Sequence, residues 1–163
     1  MSELFRFLEE HRIPYECFDH PAVYTVADVE RLTPDLPGCK TKNLFLRDAK
    51  GARHILVVVG HDKRVDLKRL EAEVGLKRLG FGSPERLNQY LGILPGAVSL
   101  LALFNDPAGD VDLFVDAEIW EEPRFQFHPL VNTQTLVMDR SAVERFATLT
   151  GHAIQLITIP EKA

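Results

Sequence analysis

Asn43-Leu44-Phe45-Leu46-Arg47-Asp48-Ala49-Lys50-Gly51-Ala52-Arg53-His54-Ile55-Leu56-Val57-Val58-Val59 holds two apolar runs on either side of a turn. The runs predict strands over Asn43 to Arg47 and His54 to Val59, with Asp48-Ala49-Lys50-Gly51 as the hairpin between them. Just upstream, Gly38-Cys39-Lys40-Thr41-Lys42-Asn43 sets two lysines and an amide against the first strand. Lys42 and Asn43 stand where the chain becomes extended, so they are expected to project from a strand rim. A rim lysine beside a neutral amide donor suits a phosphate with a nearby hydroxyl or carbonyl. The plainer alternative is a solvated basic turn.

Outward from the hairpin, helix and strand patterns alternate without repeats or low complexity. Ser2 caps a first helix to about His11, with Leu4, Phe5 and Leu8 on one face. Tyr15 to Phe18 reads as a short strand. Thr25-Val26-Ala27-Asp28 has capping-box form, predicting a helix to about Leu32. Pro34 and Pro37 make the next loop irregular. Asp66 to Val74 is an amphipathic helix ended by Gly75, and Ser83-Pro84-Glu85 starts another to about Leu91. Ala97 to Phe104 is an apolar run, either buried strand or short helix. Val111 to Val115, Arg124 to Phe127 and Thr135 to Met138 are further strands. Asp139 to Thr148 is a helix closed by Gly151, and Ala153 to Ile159 a last strand. The expected fold is α+β, a single domain over residues 1–163 with a mixed, mostly antiparallel sheet of six or seven strands and surrounding helices.

The 163 residues are 45% apolar, enough for one buried core. No run approaches the ~18 apolar residues of a membrane span, and the N-terminus opens a helix instead of a secretion signal. Cys17 and Cys39 lack metal spacing and are expected as free buried thiols, although one disulfide between them is possible. These features point to a cytoplasmic protein with no membrane partner. The net charge of −5 conceals an asymmetry: Lys40 to Tyr90 holds twelve basic and six acidic side chains, while the remainder holds seven and eighteen. A polyanion docking on the central third would account for that split, as would ordinary solvated faces.

Several chemistries are absent from the sequence. No glycine-rich phosphate loop occurs, and Gly80-Phe81-Gly82 is too short to be one. The six histidines never fall at ligand spacing with each other or with cysteine, so no metal or other cofactor is expected. Ser99 lacks the glycines of a nucleophile elbow. Cys39 stands near lysines that could lower its pKa, yet no histidine is near it in sequence. No helix-turn-helix or aromatic RNA-binding motif appears, so duplex DNA is not an expected partner.

Two further segments set polar groups in apolar surroundings. In Leu94-Pro95-Gly96-Ala97-Val98-Ser99, Gly96 lets backbone approach a ligand, and nearby amides can bind a carbonyl or oxyanion. In Phe127-His128-Pro129-Leu130-Val131-Asn132-Thr133, His128 ends a strand and is fixed by Pro129, poised to hydrogen-bond a ligand or simply to cap a turn.

In this order the motifs resemble the prolyl-tRNA editing family, the YbaK/ProX-like aminoacyl-tRNA deacylases. The likeness runs from Asp19-His20-Pro21 with Thr25, through Lys40 to Leu46 and Pro95 to Ser99 with Asn105-Asp106, to His128 to Thr133. The subgroup most similar removes alanine from mischarged proline tRNA. Leu100-Leu101 departs from it, where a Ser-Pro-Phe type sequence is expected. The resemblance implies hydrolysis of the ester at the acceptor end of a mischarged tRNA, without metal or covalent nucleophile, a ribose hydroxyl of the substrate helping to orient water. It implies catalytic roles for Lys42 (terminal phosphate), Asn43 and His128 (positioning). It implies substrate contacts from His20, Val23, Thr25, Val26, Gly96, Ala97, Ser99 and Asn132. Val23, Thr25 and Val26, with Leu100 and Leu101 beside them, are the candidate wall that admits alanine and rejects proline sterically. The alternatives are the same fold acting on cysteinyl or seryl esters, and a noncatalytic nucleic-acid-binding module.

Overall fold

The computed structural model describes residues 2–33 and 35–163, so Met1 and the expected irregularity at Pro34 lie outside the described residues. The helices are α1 (Glu3–Glu10), α2 (Val26–Leu32), α3 (Leu67–Val74), α4 (Pro84–Leu91), α5 (Ala117–Trp120) and α6 (Arg140–Thr150). The strands are β1 (Glu16–Asp19), β2 (Cys39–Arg47), β3 (His54–Gly60), β4 (Gly80–Phe81), β5 (Val111–Asp116), β6 (Arg124–Phe127), β7 (Gln134–Asp139) and β8 (Ile154–Ile157). Local chemistry sets the helix ends as expected. Ser2, Thr25, Asp66, Ser83 and Asp139 each accept from a first-turn amide, and Gly75, Gly92 and Gly151 close helices in the left-handed region.

The strands form one sheet in the order β1-β7-β6-β2-β3-β5-β8, with β4 also on β2. Four pairings are antiparallel (β1/β7, β2/β3, β2/β4, β6/β7) and three parallel (β2/β6, β3/β5, β5/β8). The α+β class and mixed sheet are as expected, but eight strands replace six or seven. The added one is β4: Gly80-Phe81, discounted as a phosphate loop, pairs with Arg47 and Leu46. The apolar run Ala97 to Phe104 resolves into a 3-10 helix over Leu100–Asn105.

β3 is buried over His54–Val59 because both faces of the sheet are covered. Leu56 and Val58 join the larger core, formed with α1, α4, α6, the 3-10 helix and strands β5 to β7. Ile55, Val57 and Val59 join a smaller core with Leu46, Leu70, Phe114 and Ile159. At the end of β3, buried Lys63 donates to Asp116 at 2.6 Å and to the Ile159 carbonyl at 2.7 Å, tying the turn to β5 and the C-terminal segment.

β2 differs from expectation in a way that positions the site. It begins at Cys39, four residues early, because Cys39 and Lys40 pair in parallel with Phe125 and Gln126 of β6. At its other end Arg47 and Leu46 take β4 on that same edge. The edge between these pairings opens, and Lys42 and Asn43 therefore sit within the strand, not on its rim.

Candidate active site

Where β2 parts from β6, two small adjoining cavities open, of about 50 and 150 Å³. The first is lined by Val29, Thr33, Lys40, Thr41, Asn43 and His128 among others. The second is lined by Val23, Tyr24, Thr25, Val26, Lys42, His61, Gly96 and His128. Val29, Thr41 and His128 belong to both, so His128 stands at the junction.

His128 follows the end of β6. Its Nδ1 lies 3.0 Å from the Gln134 carbonyl, which can only accept, so Nδ1 carries the proton and Nε2 keeps its lone pair. Burial pushes the His128 pKa below the ordinary histidine value, opposed by the Gln134 carbonyl and assisted by His20. The side chain is thus held neutral with an acceptor available to the cavities. His20 lies 6.2 Å away, ring centre to ring centre. Its Nδ1 donates to the Pro21 carbonyl, so Nε2 accepts from the Thr135 hydroxyl at 2.8 Å. Both His20 nitrogens are spent on the protein, so His20 supports the wall behind His128.

Strand alternation splits the lysine-amide pair. Lys42 lies opposite Val59 and Asn43 opposite Val58, residues of the two different cores, so their side chains leave opposite faces of the sheet. Asn43 Oδ1 accepts from the Leu100 amide at 2.8 Å, and its Nδ2 donates to the Thr41 hydroxyl at 3.3 Å. Thr41 in turn donates to the Gln126 carbonyl, bridging the parted strands. Asn43 keeps one N–H for a ligand while anchoring the 3-10 helix. Lys42 is half-buried; burial lowers its pKa, Asp62 opposes this and Arg64 adds to it.

The wall candidates Val23, Thr25 and Val26 do line the second cavity. Thr25 also caps α2, its hydroxyl accepting from Asp28. Asn132 does not line either cavity. Its Nδ2 donates to the Val23 carbonyl at 3.0 Å, and Val23 N donates to the Asn132 carbonyl, so it fixes the wall. Gly96, at φ +92°, sits at the mouth, where a left-handed conformation favours glycine. Ala97 is buried with its amide bonded to the Leu94 carbonyl. Ser99 is fully buried and caps the 3-10 helix by accepting from Leu101, which explains the residue without a ligand. Leu100 and Leu101 are core residues outside the cavity linings, so they form no part of the wall.

Other expectations change as well. Cys17 is exposed and not buried, and both cysteines are free. Burial pushes the Cys39 thiol up to about 11, aided by Glu122 and Asp62, so the lysines beside it do not activate it. Three cations of the central segment are paired within the protein: Lys63 is buried with Asp116, Arg53 pairs with Asp112 at the surface, and Arg86 donates to the Gly51 carbonyl and to His54 Nε2. No group of three His, Cys, Asp or Glu side chains capable of holding a metal ion occurs among the described residues, and no described helix is long and apolar enough to cross a membrane. Lining residues that the sequence reading gave no site role include Val29, Thr33, Lys40 and His61. Two of these carried a signal: Lys40 is the first lysine of the segment before β2, and Val29 follows Val26 by three residues on the same helix face.

The chain is similar to known proteins in sequence and in fold. The chain is 34% identical over 152 residues to the prolyl-tRNA editing protein ProX of Acetoanaerobium sticklandii, covering 93% of each. It is 36% identical over 155 residues to the prolyl-tRNA synthetase associated domain-containing protein 1 of Xenopus laevis, covering 93% of this chain and 92% of the relative. A solved structure described as a candidate trans-editing enzyme for prolyl tRNA synthetase superposes with a TM-score of 0.70 at 18% identity over 99% of both chains, a shared fold. The aminoacyl-tRNA editing domain model matches residues 20–146, a span that holds every cavity-lining side chain named above, and the chain belongs to that family.

Proposed function

We propose that this protein is a trans-editing aminoacyl-tRNA deacylase that hydrolyses the ester of mischarged proline tRNA, with alanine as the amino acid removed. Family membership and the names of the two relatives support the deacylase class and the proline tRNA. The observation that carries the reading is the fixed His128, neutral, with Nε2 free where the two cavities meet.

An aminoacyl ester is already activated, so catalysis needs position and charge stabilisation more than a nucleophile. Lys42 takes the phosphate of the terminal nucleotide. His128 Nε2 accepts a hydrogen bond from a ribose hydroxyl or from the attacking water, fixing the geometry of attack. The Gly96 loop brings backbone amides to the developing oxyanion; those of Gly96 and Val98 have no protein acceptor among the described residues. Asn43 secures the loop through Leu100 and offers its remaining N–H to the substrate. Val23, Thr25 and Val26 exclude the proline ring while admitting a methyl group. The site of action is the cytoplasm, where charged tRNA is used.

The test is ester loss with time from alanyl, cysteinyl, seryl and prolyl esters of proline tRNA, with and without EDTA. Alanine is expected to be released catalytically in both conditions while proline persists. Preference for cysteine or serine would move the substrate, and only spontaneous loss from every ester would leave a binding module.

A further inference from the structure

Tyr24 is 75% exposed, the most exposed large apolar side chain of the described residues, yet it stands between bonded neighbours, with Thr25 after it accepting from the Asp28 and Val29 amides. Val23 before it is buried and bonded to Asn132, and the Tyr24 amide itself donates to Asp28 at 3.0 Å. Exposure of an aromatic ring on so constrained a segment costs hydrophobic burial without offering the chain any mobility. The ring lies at the mouth of the second cavity, where a Cβ at Gly96 would stand 3.9 Å from its Cδ1. Leu94 on the facing loop is 73% exposed. Lys42 lines the same cavity, with the Arg64 cation near enough to influence it.

An exposed ring and a cation lining one pocket suit the end of a single strand: the base stacks on the ring and the phosphate meets the ammonium. We infer that Tyr24 is a stacking platform for the terminal adenine of the acceptor strand, holding the nucleotide so that its ester enters the cavity toward His128. This rests on the deacylase reading above and adds to it a base-recognition surface. The ring face recognises the base; the hydroxyl is dispensable.

The experiment compares wild type, Tyr24→Ala and Tyr24→Phe on two alanyl substrates of proline tRNA, one ending in adenosine and one whose terminal nucleotide lacks its base. Stacking of one base predicts that Tyr24→Ala lowers kcat/KM about five- to a hundredfold on the first substrate. Tyr24→Phe should stay within about threefold of wild type. On the abasic substrate, Tyr24→Ala and wild type should be equal. Phe81→Ala, which removes another exposed aromatic far along β2 on β4, should match wild type. An equal loss on both substrates, no loss on either, or a Tyr24→Phe defect as large as that of Tyr24→Ala would overturn the platform. Binding of a short single strand ending in adenosine, with and without Tyr24, separates the two readings. Tyr24-dependent binding without wild-type ester loss would sink the deacylase reading and keep the platform. Turnover with Tyr24-independent binding and rate would do the reverse.

Discussion

Lys42 and Asn43 are consecutive in β2 and leave the sheet on opposite faces, Lys42 beside Val59 and Asn43 beside Val58. Lys42 reaches the second cavity, and Asn43 lines the first while holding Leu100. The two side chains therefore act on different parts of a substrate, and their substitutions should be separable.

Lys42→Ala is expected to lower deacylation roughly ten- to a thousandfold, since loss of a charge-assisted contact costs about 1.5–3 kcal/mol or more. No ion pair holds the ammonium among the described residues, so the melting temperature should stay near that of wild type. Lys50→Ala, on the exposed hairpin tip, is the control. Equal kcat/KM in wild type and Lys42→Ala would remove Lys42 from the site.

Asn43→Ala should behave differently. It strands the Leu100 amide at the buried start of the 3-10 helix, at a cost of about 1–3 kcal/mol. Chemical denaturation should report that loss, together with reduced activity. An unchanged midpoint would mean that the Leu100 contact contributes little.

These placements mark what the sequence could and could not reveal. Helix ends were legible because capping is local: Ser2, Thr25, Ser83 and Asp139 act on amides within three residues. The start of β2 was not, because Cys39 and Lys40 become strand only through β6, more than eighty residues away. Residues with polar character in odd surroundings, Lys42, Asn43 and His128, were visible as site candidates. Their division between two faces was not, since it depends on β2 running to Cys39 and on β3 being covered on both sides. Ser99 and Asn132 look like ligand groups in a linear motif, and only the fold shows their hydrogen-bonding capacity spent on Leu101 and Val23.

Acid pH should weaken both stability and rate. Burial lowers the pKa of His54, with Arg86 adding to it, and burial lowers that of His128. From about pH 7.5 upward both are neutral whether folded or unfolded, so neither contributes a pH dependence there. As pH falls through that value the unfolded chain takes up protons first, so stability declines toward the lower folded-state pKa values. His54 packs against Phe45 and Tyr90, and His54→Phe keeps an aromatic ring there while removing the titration. Denaturation midpoints between pH 5 and 7.5 should fall less steeply in His54→Phe than in wild type. Parallel curves would exclude His54 as a source of the acid loss. The single-turnover rate, which needs neutral His128, should rise with pH to a plateau whose midpoint lies below the ordinary histidine value.

Val23→Ala tests the size filter. Val23 is 2% exposed and pinned by two hydrogen bonds to Asn132, a stiff wall. Removing its two methyl groups should raise hydrolysis of the prolyl ester by about 5- to 100-fold, the range for one or two carbons in a shaped pocket, while the alanyl ester changes little. Unchanged rejection of proline would place the filter elsewhere in the lining, with Val26 and Val29 the next to test.

His128→Ala distinguishes an enzyme from a binding module. In the proposed mechanism His128 contacts the reacting end of the substrate, whereas tRNA affinity comes mainly from phosphate contacts. Turnover should therefore collapse while the dissociation constant for uncharged proline tRNA changes by less than about threefold, the phosphate contacts being intact. That affinity should weaken steeply with added salt in both proteins. A binding module predicts the opposite pattern, in which charged and uncharged tRNA bind alike and wild type never exceeds the spontaneous rate. If His128→Ala lost binding and turnover in equal proportion, His128 would be an affinity contact, and its fixed Nε2 would have no role in the chemical step.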